Sequence, residues 1–541
     1  MRNYLVIAML AAVLALPYLL KPKDNLIEDA DVTLVVVSPH TEAIRYEFAS
    51  AFRKWYKAKT GKTVSFDWRS IGGTSEIGRY VGSEYMGAFQ NYWVNELKQP
   101  WSTEVANGFN NRKQKPGDDT PAARARKAFL GSNVGIGIDL FFGGGSFDHS
   151  RQGQAGHFVD AGIIDKHPEL FNPRVYPQAL SGEEFWGKDK TWIGLCFSAF
   201  GVVYNTDSLR RLGYAEGEFP NAWADLADPR LFRQVALADP TMSGSAVKAF
   251  EMLIQQQMHD ELKRLTAGGM ELEAAKKQAV EAGWNNGFNL IMKISANSRY
   301  FTDSASKIPM DVAGGNAAAG MAIDFYGRYQ SEVVQKEDGS SRVIYLTPPG
   351  GSSVGVDPIG LFRGAPNAEV AKEFIEFCLT PEGQKLWNWK PGTPGGPERY
   401  ALRRLPVLPA LYTPDLAQYR SDPTVLPYEE AKSFTYEGAW TGPYFSSIAF
   451  VIKGMCLENH HDLQETWAVL RETGFPAEAM AELENLGPAG YAEVTAKLRP
   501  VLDDPDKIKR VAVAREFTDY FRNHYRKVRD LAHQHAKTAQ R

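Results

Sequence analysis

Apolar and β-branched positions along this chain gather into short runs, each followed by a turn rich in Gly, Ser and Thr and then by residues with helical spacing. The first instance is the clearest. In residues 31–48, DVTLVVVSPHTEAIRYEF, positions 32–37 form a β-branched strand. Ser38 stands where a helix N-cap belongs and Pro39 at the first helical position, a coherent start because neither removes a backbone donor that the helix needs. A second strand at 63–68 completes a strand–helix–strand unit. In sheets built this way ligands sit where the C-terminal ends of strands meet helix N-termini, so Ser38, His40 and Thr41 become candidate contacts.

The same alternation continues. A strand is expected at 134–142, after an aromatic-rich insertion at 80–132 whose polar end, GFNNRKQKPGDDTPAARAR, reads as an exposed loop running into a helix. Residues 192–204, WIGLCFSAFGVVY, are continuously apolar and read as a buried strand or strand pair. The strand at 235–238 leads into DPTMSGSAVKAFEMLI, a Gly/Ser turn opening a helix. Residues 293–329 give a helix-and-turn region containing Gly314, Gly315 and Asn316. Returning strands follow at 344–347 and 357–363, then helices at 369–379 and 381–389. Beyond about 395 the chain is Pro-rich and then helical to its basic end. Strands alternating with helices predict an α/β fold with parallel-rich sheets, in two lobes joined by the long apolar crossing.

Size and composition narrow the function. The 541 residues are enough for two or three lobes. A net charge of −3 gives no electrostatic case for nucleic acid. Three cysteines (Cys196, Cys378, Cys456) without a CxxC pair suggest neither a disulfide framework nor a structural zinc site. Residues 4–20 are almost wholly apolar and are flanked by Arg2, Lys21 and Lys23. This is the layout of an export signal, near the lower length for a bilayer span. A removed signal and an uncleaved membrane anchor both remain open, and both place the body outside the cytoplasm.

Seven motifs in order, SPHTEA, GGTSE, DLFFGGGS, ADPTMSGSA, GGNAAAGMAIDFY, DPIGLF and LTPEGQKLW, resemble the type II periplasmic solute-binding proteins of ABC importers, within the ferric-iron and phosphate-ester branch. The resemblance covers about 31–389. It implies lobe one at 31–199 and 346–394, and lobe two at 200–345, closing over a ligand. The partner it implies is a membrane permease. The extension at 395–541 and the 80–132 insertion fall outside the pattern, and the extension is expected to pack on lobe one.

Four turns present hydroxyls, glycines or amides at expected helix starts: Ser38 to Thr41; Gly73, Thr74 and Ser75; Ser243, Gly244 and Ser245; Gly315 and Asn316. Taken singly, each turn also reads as a cap for its own helix. A helix dipole contributes only about 0.3–1 kcal/mol to binding an anion, whereas micromolar affinity needs roughly 8 kcal/mol. Charge-assisted hydrogen bonds of about 1.5–3 kcal/mol each must therefore supply most of it, which requires the turns to converge. The expected ligand is a small phosphorylated or phosphonate-like organic anion, with no cofactor. Ferric iron is the alternative, held by His40, Asp324 and Tyr326 as hard-cation ligands. The adjacent tyrosine pair of the iron binders is replaced by Asp324-Phe325-Tyr326-Gly327. Asp324 with Arg328 also reads as a simple i,i+4 pair, and Tyr326 as packing surface.

Catalytic motifs are weak. ADPTMSGSA is not a GxSxG elbow, the His460–His461 pair lacks an HExxH context, and Gly143, Gly144 and Gly145 lack dinucleotide spacing. A non-catalytic receptor is expected, with an exported hydrolase or a scaffold protein as the reading from another class.

Overall fold

The computed structural model describes residues 30–114, 118–504 and 507–539. The apolar segment 4–20 lies outside these. Among the described residues no helix is long and apolar enough to cross a membrane.

Two mixed sheets organise the chain. Sheet one contains β1 (Val32–Val37), β2 (Val64–Arg69), β3 (Leu140–Phe142), β4 (Phe158–Val159), β7 (Trp192–Ser198), β13 (Gly355–Phe362) and β14 (Leu405–Pro406), with a small hairpin of β5 (Ala179–Leu180) and β6 (Glu183–Glu184) beside it. Sheet two contains β8 (Phe200–Asn205), β9 (Val235–Ala238), β10 (Ser298–Thr302), β11 (Ala319–Ile323) and β12 (Val343–Leu346). Pairing is parallel around β1 and β9 and antiparallel wherever β13 or β8 takes part. Those two strands enter their sheets from the other one, so they run against the strands already there. The apolar run at 192–204 is the first crossing, with Ala199 alone between β7 and β8. The second crossing lies between β12 and β13.

The first strand–helix unit forms as its pattern demands, with one shift. Helix α1 runs Glu42–Thr60 with Thr41 as N-cap, three residues later than the Ser38–Pro39 signal. Ser38 is otherwise engaged: its hydroxyl donates to the Phe142 carbonyl at 2.7 Å and accepts the His40 N–H at 3.1 Å. On α1, Phe48 and Phe52 lie one turn apart and are fully buried. They meet Trp387 at 4.3 Å and Phe374 at 5.1 Å between ring centroids, each side chain contributing about 1.5–3 kcal/mol of burial.

Three further segments depart from expectation. The strand expected at 134–142 shrinks to β3, because Gly135 lies against the Gly364 backbone too closely for any Cβ, and Gly137 turns the chain with φ 70°. Residues 298–302, read as helix and turn, form β10. The 80–132 insertion is largely ordered: α2 (Thr74–Asn91) continues through a wide turn at Tyr92–Glu96, and helices Thr103–Gly108 and Pro121–Leu130 close a separate aromatic core around Phe89, Phe109 and Phe129.

The extension divides between the lobes rather than packing on lobe one alone. Its first part joins the sheet-one core through Leu402, Leu405, Val407 and Ala431. There the buried Glu47 carboxylate accepts the N–H groups of Glu398, Arg399 and Tyr400, all at 2.7 Å. From Phe434 to Ala532 it packs on sheet two instead. The long helices α4 (Gly244–Ala267) and α5 (Leu272–Asn297) present large apolar surface there. The extension covers that surface with Tyr444, Ile448, Trp467 and Phe521, and Trp284 donates from α5 to the Ala489 carbonyl at 3.0 Å.

Candidate functional site

Between the two sheets lies a cavity of about 480 Å³. Three helix N-termini open onto it. Helix α2 begins at Thr74 after β2, α3 (Ser146–Ala155) after β3, and α4 at Gly244 after β9. The first two follow strands of sheet one and the third a strand of sheet two. They stand close: a Cβ on Gly73 would lie 2.7 Å from the Met242 carbonyl oxygen. No side chain caps the first turn of α3, and Ser243 caps α4 only at the Ala246 N–H, at 3.3 Å. First-turn N–H groups thus remain available to a ligand.

The turn before α3 was missed in the sequence. Gly143 and Gly144 have φ of 91° and 103°, and a Cβ on Gly144 would meet the Thr74 methyl at 2.7 Å. Only glycine allows that backbone to lie against α2. The signal was present in DLFFGGGS, a strand, a turn and a helix start, but motif spacing alone does not reveal a positive-φ turn.

His40 lines the cavity and is 5% exposed. Burial holds its imidazole well below the usual histidine range, reinforced by Arg404, Arg45 and His149. Its Nε2 has no hydrogen-bond partner among the described residues. A neutral ring with a free nitrogen can donate to or accept from a ligand according to its tautomer. Tyr326 also faces the cavity, and burial pushes its phenol upward.

The remaining charges are mostly paired within the protein. Lys248 on α4 lies 2.9 Å from Glu183 and 3.1 Å from Glu251, with its ammonium 3.5 Å above the Tyr436 ring. Burial opposes its charge, but the two carboxylates outweigh that and hold it protonated above the ordinary lysine range. Arg404, 3% exposed, is bound to Asp357 and lies 3.6 Å from the Phe325 ring centroid. None of Lys248, Glu183, Tyr436 and Arg404 stood out in the sequence; each sits in an unremarkable segment and tertiary folding alone brings them here.

Of the expected contacts, His40, Gly73, Thr74, Ser243, Gly244, Ser245 and Tyr326 line one cavity. Ser38, Thr41 and Ser75 adjoin it without lining it. Gly315 and Asn316 are elsewhere. Gly314 closes the short helix Lys307–Ala313 instead of opening one, and the turn precedes Ala319, the strand end opposite the cavity-lining Ile323. Asp324 is likewise removed from the ligand set. It is 1% exposed, its Oδ2 receives Arg328 at 2.7 Å, and its Oδ1 accepts the Phe325 N–H at 2.8 Å. The iron trio of His40, Asp324 and Tyr326 is therefore not assembled here, and among the described residues no group of three or more His, Cys, Asp or Glu is placed to hold a metal ion.

Residues 137–399 match the family of bacterial extracellular solute-binding proteins. That span is similar to the solute-binding family. An uncharacterised protein of Haemophilus influenzae is 25% identical over 254 residues, which span 47% of this chain and 61% of that relative. Among solved structures, the periplasmic binding protein AfuA of Actinobacillus pleuropneumoniae, with fructose-6-phosphate bound, is 17% identical with a TM-score of 0.47, over 77% of this chain and 99% of that one. Iron-bound HitA of Pseudomonas aeruginosa is 15% identical with a TM-score of 0.45, over 77% and 98%. The solute-binding match begins just before β3 and ends in the first part of the extension, so it contains α3, α4 and most of the cavity wall.

Proposed function

We propose that this protein is an extracytoplasmic receptor of an ABC import system that binds a small phosphorylated or phosphonate-like organic anion and delivers it to a membrane permease. One observation supports this reading above the others: helix N-termini from both sheets meet at a single cavity lined by unspent hydroxyls and backbone donors. Ligand docked on α2 and α3 gains the α4 hydroxyls only when the lobes approach, so differential affinity for the closed form drives closure. The apolar segment at 4–20 fits export, with or without retention as a tether. Ferric iron is the competing cargo, and a hydrolase the competing class.

A thermal-shift panel of sugar phosphates, phosphonates, dicarboxylates and ferric salts tests the reading. Stabilisation by a phosphorylated compound is expected. Stabilisation by ferric salts alone, with a visible charge-transfer band, would replace the anion by iron, and turnover of an ester would replace the receptor by an enzyme.

A further inference from the structure

The cavity does not end at the helix N-termini. Phe147, Ser150, Arg151 and Gln154 all line it, and their i, i+3, i+4, i+7 spacing puts them on one face of α3. The cavity therefore follows that helix from its first turn to its last. At a rise of about 1.5 Å per residue, Arg151 lies about 7.5 Å and Gln154 about 12 Å along the axis from Ser146.

The insertion reaches the far end. Arg112 also lines the cavity, and its guanidinium donates to the Gln154 side-chain carbonyl. The neighbouring Lys113 pairs with Asp503 of the extension at 3.6 Å, so insertion and extension meet beside it. Phe147, between the two ends of α3, stacks on Phe445 of the extension with ring centroids 4.1 Å apart, and both rings line the cavity.

The cations of the cavity fall into two groups. Lys248 and Arg404 are bound to carboxylates. Arg112 and Arg151 are exposed, and among the described residues no carboxylate lies within ion-pair distance of either. Arg151 lies over the Phe147 ring at 5.7 Å, and Asp148, one turn back on α3, feels its charge without pairing to it. Glu184, also on the cavity wall, is taken by Lys188 at 3.1 Å. Two guanidiniums, whose planar forks match phosphate and carboxylate oxygens, thus stand uncompensated at the opposite end of α3 from its free N–H groups.

We propose that Arg112 and Arg151 form a second anion subsite, and that the ligand is an organic phosphate carrying a further phosphate or carboxylate at the other end of its carbon chain. This rests on the anion reading above and deepens it. One anion sits at the helix N-termini, the carbon body passes Phe147 and Phe445, and the far anion reaches the guanidiniums. A lone phosphate cannot occupy both ends. The insertion lies before the span matched to the solute-binding family, and through Arg112 it takes a part in selecting cargo.

Isothermal titration of the full-length protein with two pairs of compounds tests this: fructose 6-phosphate with fructose 1,6-bisphosphate, and glucose 6-phosphate with 6-phosphogluconate. The first pair reads a second phosphate and the other a carboxylate. In at least one pair the doubly anionic member is expected to bind about tenfold more tightly. Arg112→Gln and Arg151→Gln should each cut that ratio about threefold, and the double variant should bring it within about twofold of unity. Lys113→Gln removes a charge one residue from Arg112 and should keep the wild-type ratio, which separates a defined subsite from a general positive field. Equal binding within both pairs, a ratio unchanged in the double variant, or an equal fall in Lys113→Gln would overturn the subsite while leaving an anion receptor. Binding of none of the four compounds by the wild type would remove the anion reading and this inference together.

Discussion

Replacing Lys248 by methionine would expose how far the two lobes are held together by charge. Lys248 belongs to α4 of sheet two, Glu183 to the hairpin beside sheet one, and Tyr436 to the extension, so one side chain joins three parts of the molecule. Glu183 is 3% exposed and Glu251 fully buried. The extension holds the same hairpin through the Tyr436 N–H, which donates to the Ser181 carbonyl at 2.8 Å. Gly182 beside it has φ 83° and would place a Cβ only 1.8 Å from the Tyr436 carbonyl oxygen, so the strap fits tightly. Methionine keeps the aliphatic stem but leaves two buried carboxylates without a cation. Breaking a buried pair in this way costs about 3–5 kcal/mol. The deficit should appear in urea unfolding near neutral pH, where the wild-type pair is intact. Glu183→Gln added to Lys248→Met should recover part of the loss, as expected for coupled neighbours. A Lys248→Met protein as stable as the wild type, or a double variant no more stable than Lys248→Met alone, would refute this reasoning.

Other expected outcomes follow from single residues. His149 and His157 are pushed by burial down to about 4 and about 3, so both stay neutral in the fold. Their contribution is present above the unfolded histidine pKa and is lost as pH falls toward the folded values, about 3 kcal/mol for His149 at the acid limit. Urea midpoints should fall below pH 6, and His149→Gln should make that fall shallower. Asp324→Asn should lower stability by about 2–4 kcal/mol while leaving affinity for a phosphorylated ligand within about twofold. Tenfold weaker binding at unchanged stability would return Asp324 to the ligand set. Gly144→Ala places a Cβ at φ 103° against Thr74 and should cost about 1–3 kcal/mol and weaken binding, whereas Gly213→Ala, at φ 88° with open space around it, should weaken stability alone. Thr74→Ala and Ser245→Ala should each reduce affinity about tenfold, equivalent to one charge-assisted hydrogen bond, read by titration calorimetry.

Much of the architecture was legible because it is written locally. The β-branched run at 32–37, the Gly/Ser turns at 73–75 and 243–245, and the uninterrupted apolar crossing at 192–204 each carry a short-range cause. Elements set by contacts far along the chain were not legible. The Gly314–Gly315–Asn316 turn reads equally well as the start or the end of a helix, because Gly and Asn close helices as readily as they begin turns; only the position of β11 decides. Asp324 looked like a ligand because it follows a strand, yet the i,i+4 Arg328 is buried beside it and takes the carboxylate. Lys248, Arg404 and Tyr436 lie in ordinary helical or loop sequence, up to 188 positions apart by number, and converge only after both sheets have formed. The extension could not be placed because its apolar face matches either lobe by composition. The long unpaired surface of α4 and α5, visible only in three dimensions, draws most of it to sheet two.

The most direct test is a crystal structure of the protein soaked with tungstate, a phosphate-sized anion located by its anomalous signal. The expected peak lies between the first turns of α2, α3 and α4, within hydrogen-bond distance of Thr74 and Ser245. A cavity without any peak at saturating tungstate, or a peak bound only on an outer surface, would contradict the convergence of helix N-termini as an anion site.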